Sequence, residues 1–122
     1  MTALLITTDD KFEVVECDPK RGLKDFYKHI GCDLVQVVAP YGLQRLGLLP
    51  ENFIMVVDEE GLLKDKPKLN MFASTFYGSP IYGNAMIVKE NEEDFEALTE
   101  EDHREVRVAT AMLLNELETQ YR

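Results

Sequence analysis

The chain has 122 residues and a mass of 14.0 kDa, the size of one domain, and folding can hide roughly two-thirds of its unfolded surface without disulfides or metal. An apolar content of 45% beside 30% charged residues is that of an ordinary globular protein and argues against wholesale disorder. Thirteen basic and twenty-three acidic side chains leave a net charge of −10, which disfavours direct nucleic-acid binding, because phosphate affinity depends on Lys and Arg displacing counterions.

Residues 3–7 are continuously apolar up to Thr7 and suit a strand covered on both faces. Asp9, Asp10 and Lys11 break the run, and residues 12–17 are again rich in β formers, so the economical reading is an antiparallel hairpin. Leu23, Phe26, Tyr27 and Ile30 stand at i, i+3, i+4 and i+7, one face of a short helix that Gly31 stops. Residues 33–39 read as a strand that Pro40 ends. Gly42, Gly47 and Pro50 interrupt the leucines of 41–52, which predicts a packed loop rather than a helix. Residues 53–57 form a strand apolar on both faces. Asp58, Glu59, Glu60 and Gly61 read as a hairpin turn in which Gly61 supplies a positive φ, and they lack the alternating ligands of a calcium loop.

Leu69, Phe72, Ala73 and Phe76 repeat the helical spacing after Pro67 and predict a short second helix, with Asn70 placed to cap it or to tie a loop to a strand. Residues 84–88 form the last strand, followed by an acidic connector at 89–96. The C-terminal helix spans about 99–121. Thr99 caps it, and Glu100, Glu101 and Asp102 complement its dipole. Val106, Ala109, Leu113, Leu114, Leu117 and Tyr121 share its inward arc, whereas Val108 and Met112 fall on the opposite side. The fold class is therefore α+β: one domain over 1–122 with a mostly antiparallel sheet of about five strands. The short N-terminal helix and the long C-terminal helix pack on one face of it.

Charge is unevenly placed. Residues 1–89 hold twelve acids and ten bases, and residues 90–122 hold eleven acids and three bases. The acidic third is either a solubilising face or a negative surface that docks a basic partner in the manner of a nucleic-acid mimic. Cys17 and Cys32 are the cysteines. The start of the chain has no basic stretch before its short apolar run, and no run approaches the ~20 residues of a membrane span. The expectation is thus a cytoplasmic protein with reduced thiols and no membrane partner. His29 and His103 have no metal-ligand spacing to these cysteines, and neither a metal nor a cofactor is expected.

No catalytic constellation stands out: there is no phosphate-binding glycine loop and no nucleophile elbow, and the carboxylates are abundant without being paired. Two surfaces are candidates instead. Phe76, Tyr77 and Tyr82 lie among glycines and a proline, and aromatics with polar tips favour recognition surfaces. With Asn70 and Asn84 as polar anchors, the same stretch at 70–84 could wall a cleft for a nucleotide or metabolite. Val108 and Met112 are the candidate contact of a homodimer. A non-enzymatic interaction module leads, and a small-molecule or nucleotide binder or enzyme is the alternative.

The order of Ile30-Gly31, residues 57–63, Pro67 through Asn70 to Ala73, residues 82–88 and residues 98–101 resembles the bacterial family of the domain of unknown function 3846. The likeness covers about 22–103; the leucine-rich loop at 41–52 and the helix beyond 103 depart from the pattern. It implies a small accessory protein of a phage, plasmid or other mobile element, and transfers no catalytic residue.

Overall fold

A computed structural model describes residues 1–18, 21–92 and 94–120. Strands β1 (Thr2–Ile6) and β2 (Phe12–Glu16) form the expected antiparallel hairpin, with Leu4 opposite Val14. At its turn Asp10 adopts φ 64°, and the Thr7 hydroxyl oxygen accepts the Asp9 and Lys11 N–H groups. Strand β3 (Val35–Val38) pairs with β4 (Phe53–Asp58), and β4 pairs with β5 (Ala85–Glu90), which also takes β1 on its other side. The sheet order is β2-β1-β5-β4-β3, with every pair antiparallel, and a two-residue strand β6 (Phe95–Glu96) folds back on the end of β5. The connector expected at 89–96 is thus partly strand.

Two cores result, because both faces of the central strands are apolar and each needs cover. Ala3, Leu5, Ile54, Val56, Met86 and Val88 turn to one face, where Phe26 and Ile30 of α1 (Lys24–Ile30) close over them. Leu4, Ile6, Met55, Val57, Ala85 and Ile87 turn to the other, under α2 (Tyr41–Gln44), α3 (Met71–Tyr77) and α4 (Glu100–Gln120). The first and last helices therefore lie on opposite faces of the sheet, not together on one.

Residues 41–52 also differ from expectation. Their start is a helical turn, α2, which buries Leu43 completely, and Leu49 follows it into the same core. Gly42 does not break this turn; it lets α2 approach α3, since a Cβ there would stand 2.4 Å from the Thr75 carbonyl oxygen. Nor does Gly61 close a hairpin. It opens a 3-10 turn, Gly61–Leu63, and is needed for close approach: a Cβ would meet the Tyr82 carbonyl oxygen at 2.2 Å. Gly31 does stop α1 in the left-handed conformation (φ 81°), as expected.

Helix α4 begins with a reciprocal cap. The Asp102 N–H donates to the Thr99 hydroxyl oxygen (3.1 Å), and the Thr99 N–H donates to the Asp102 carboxylate (2.8 Å). The Lys89 ammonium reaches the same carboxylate at 2.7 Å and ties β5 to the first turn of α4. Val106, Ala109 and Leu113 are buried on the sheet and Leu117 packs beside them, but Leu114 is exposed; Tyr121 lies outside the described residues.

Candidate functional site

The residues expected around 70–84 do not converge on one cleft. Asn70 is fully buried at the N-terminus of α3. Its side-chain oxygen accepts the Ala73 N–H, and its amide donates to the carbonyls of Ile6 and Gly83, each at 3.0 Å. It thus caps the helix and ties the loop to β1 at once, and it is enclosed by protein rather than offered to a ligand. Phe76 is also fully buried, edge-on to Phe12 with ring centres 6.2 Å apart, and completes the core. Asn84 accepts the Thr8 N–H (3.0 Å) and holds the β1–β2 turn to the start of β5. Its hollow contains Lys64, Lys66 and Lys68. Tyr77 and Tyr82 remain half-exposed and wall a separate open groove with Val38, Leu62 and Ile81. The Tyr77 ring also lies against Tyr41, 5.9 Å between centres.

Val108 and Met112 are 51% and 52% exposed on the outer side of α4. Leu48 of the loop after α2 joins them in a shallow hollow rimmed by Glu101, Arg104 and Glu105. Exposed Ala111 and Asn115 continue the strip, so residues 108–115 form an uncharged window between Arg107 and Glu116.

The two buried carboxyls have structural partners. Burial pushes the Asp102 carboxyl up, but the Lys89 ammonium and the hydrogen bonds from Thr99 outweigh it and hold the pKa below the ordinary 3.8. The Asp25 carboxyl is held down chiefly by the Asp18 N–H, at 2.6 Å, with Arg21 adding to it. Cys17 and Cys32 are both buried. Burial raises the Cys17 pKa to about 11, with help from Asp25, and raises that of Cys32 as well. Neither thiol is poised as a nucleophile. Among the described residues no cluster of three His, Cys, Asp or Glu side chains is arranged to hold a metal ion, and no helix is long and apolar enough to cross a membrane.

His103 shows a feature that its place near the edge of the helical arc did not reveal. The Thr2 hydroxyl donates to the Leu98 carbonyl (2.6 Å), so it can only accept from His103 Nε2 (3.4 Å). Nδ1 is then the bare nitrogen, buried without a partner among the described residues. Burial first and the Arg107 charge second lower the His103 pKa from 6.5. The unfolded chain therefore takes up this proton before the folded one. The stability from neutral His103 is complete above about 6.5 and is lost as pH falls toward the lower folded value. The urea midpoint of the wild type should decline through that window, well above the range where Asp102 titrates, and His103→Phe should flatten the decline. Equal slopes in the two proteins would refute this account.

The fold defines a small α+β protein, an antiparallel sheet clad by helices on both faces. The chain belongs to the family of the domain of unknown function DUF3846, whose model matches residues 1–111. The match is wider than the resemblance at 22–103: it takes in the β1–β2 hairpin, the loop at 41–52 and α4 as far as residue 111. No curated protein and no solved structure matches the chain.

Proposed function

We propose that this protein is a non-enzymatic interaction module that docks another protein on the outer face of α4. A cytoplasmic setting with a phage or other mobile element is part of that reading and rests on the family resemblance. The observation that carries it is the uncharged window at 108–115, with Val108 and Met112 half-exposed, bordered by Glu101, Glu105 and Glu116 and by Arg104 and Arg107. Desolvating Val108, Met112 and Leu48 supplies affinity, and the net acidity of residues 90–122, not the mixed rim of Glu101, Arg104 and Glu105, favours a basic partner and steers its approach. The same window is where a homodimer would form. Against a second copy stands the excess of acids over bases along 90–122, which two apposed α4 helices would bring together.

The Val108→Glu, Met112→Glu double variant tests this, because both positions are exposed and the change leaves the core intact. Captures from lysate with wild type and variant as baits, at low and high salt, should yield a basic protein held by the wild type, released by salt and lost with the variant. Equal capture by both baits would sink the reading, and sedimentation of the same pair reports whether a dimer dissolves. A nucleotide-binding alternative has one feature in its favour, the three lysines around the Asn84 hollow. A melting temperature raised by nucleotides would favour it over docking.

A further inference from the structure

The two edges of the sheet are built differently. Edge strand β2 carries Glu13 and Glu16, the usual protection against pairing with another chain. Edge strand β3 carries none: between Asp33 and Arg45 no residue is charged, and Leu34 and Val37 are 47% and 45% exposed. Among the described residues no strand pairs with β3 on its outer side.

The ladder identifies which backbone groups are free on that side. Val35 stands opposite Asp58 and Val37 opposite Val56, which places Leu34 opposite Glu59. The Glu59 N–H donates to the Leu34 carbonyl (3.1 Å), so that pair is a hydrogen-bonded one. Such pairs alternate in an antiparallel ladder. Gln36 and Val38 therefore bond to β4, while Val35 and Val37 aim both N–H and C=O away from the sheet. Beside this edge runs the groove walled by Val38, Leu62, Tyr77 and Tyr82, on the face to which Gln36 and Val38 turn.

We infer that β3 and this groove form a strand-addition site for an extended segment of a partner protein. Backbone groups of the segment pair with Val35 and Val37, and every second side chain enters the groove, the arrangement by which added strands combine affinity with selectivity. The occupant has apolar side chains at alternate positions and Lys or Arg at its C-terminal end. An added strand antiparallel to β3 brings that end beside Asp33, with Glu59 one strand further in across β3, both exposed, whereas the Asp58 carboxylate is already paired with Lys64 at 3.6 Å. A second copy of β3 fits less well, since 33–40 offers one acid and no base. The site rests on the reading of the chain as an interaction module but uses neither Val108 nor Met112.

The test is fluorescence anisotropy with a short labelled peptide that alternates valine and threonine and ends in two lysines. Saturable binding to the wild type is expected. Val37→Pro deletes one outward N–H and leaves the β4 ladder untouched, as proline on an edge strand can; it should weaken binding roughly tenfold. Leu62→Ser, at an exposed position of the groove wall, should weaken it several-fold, and the Val108→Glu, Met112→Glu variant should bind as the wild type does. Glutamates in place of the terminal lysines should also weaken binding. Absence of saturable binding, or wild-type affinity in both Val37→Pro and Leu62→Ser, overturns the site. A wild-type dimer that Val37→Pro dissolves assigns the edge to a second copy and overturns the proposed partner. Loss confined to the α4 variant removes the β3 site and leaves the docking face standing.

Discussion

Replacing Asn70 by Leu should destabilise the fold by about 4 kcal/mol, the largest loss expected from any single polar side chain here. The amide makes three hydrogen bonds at a fully buried position, to Ile6, Ala73 and Gly83. Leu is of similar volume, so the cavity cost is small. What it leaves behind is the buried Ala73 N–H without its cap, the buried Ile6 carbonyl and the part-buried Gly83 carbonyl, each short of one hydrogen bond, a loss of about 1–3 kcal/mol at a buried group. Asn70→Asp keeps the cap on Ala73 but loses the donors, and its carboxyl must be ionised or protonated in a closed site. That raises its folded pKa, so this variant should recover stability as pH falls, when the protonated acid donates again. Urea unfolding of the three proteins across pH measures both effects. A loss below about 1 kcal/mol for Asn70→Leu would mean that these carbonyls find other partners.

Gly42→Ala should cost about 3 kcal/mol, the upper end of the usual ~1–3 kcal/mol for overpacking, because the site cannot relax. The helical preference of Ala over Gly returns only about 1 kcal/mol. The new methyl would lie 2.4 Å from the Thr75 carbonyl oxygen and 2.9 Å from that of Phe76, and backbone cannot swing away as a side chain can. The two helices must part, which loosens Leu43 and Phe76 in the core and the Tyr41–Tyr77 pair at the surface. Gly47→Ala is the control. Its φ of +70° makes any side chain strained but its Cβ would meet nothing within 4 Å, so the loss should stay near 1 kcal/mol. If denaturant midpoints place the two variants together, α2 does not rest on α3 as described.

Much of the architecture was legible because local rules and tertiary packing agree. The β1–β2 hairpin, the Phe26 and Ile30 side of the α1 stripe (Leu23 precedes the helix and is exposed) with Gly31 after it, the Thr99 cap and the double-sided apolar strands β4 and β5 all follow from period, turn chemistry and propensity. The candidate surfaces were legible only in part. Val108 and Met112 face outward, as the 100° spacing requires. Periodicity placed Phe76 on the α3 stripe but could not choose between a recognition role and the core, because an aromatic ring serves either. Asn70 suggested a cap, yet nothing local announces that Ile6, sixty-four residues away, is its second partner. The unprotected edge of β3 left a trace, an uncharged run from Leu34 to Gln44. That trace means little until the strand is known to be an edge, and strand order depends on pairings distant in sequence.

The amino-acid sequence alone determined strands β1 to β5, helices α1, α3 and α4 with their caps, and the acidity of the C-terminal third, since each depends on neighbours within a few residues. Tertiary structure decided which face each helix covers, that Gly42 and Gly61 serve close approach rather than turns, which polar groups are enclosed, and which strand is left at the rim. Those outcomes depend on where distant backbones meet, and hydrophobic spacing, which records only that a side chain is buried, carries no information about what it is buried against.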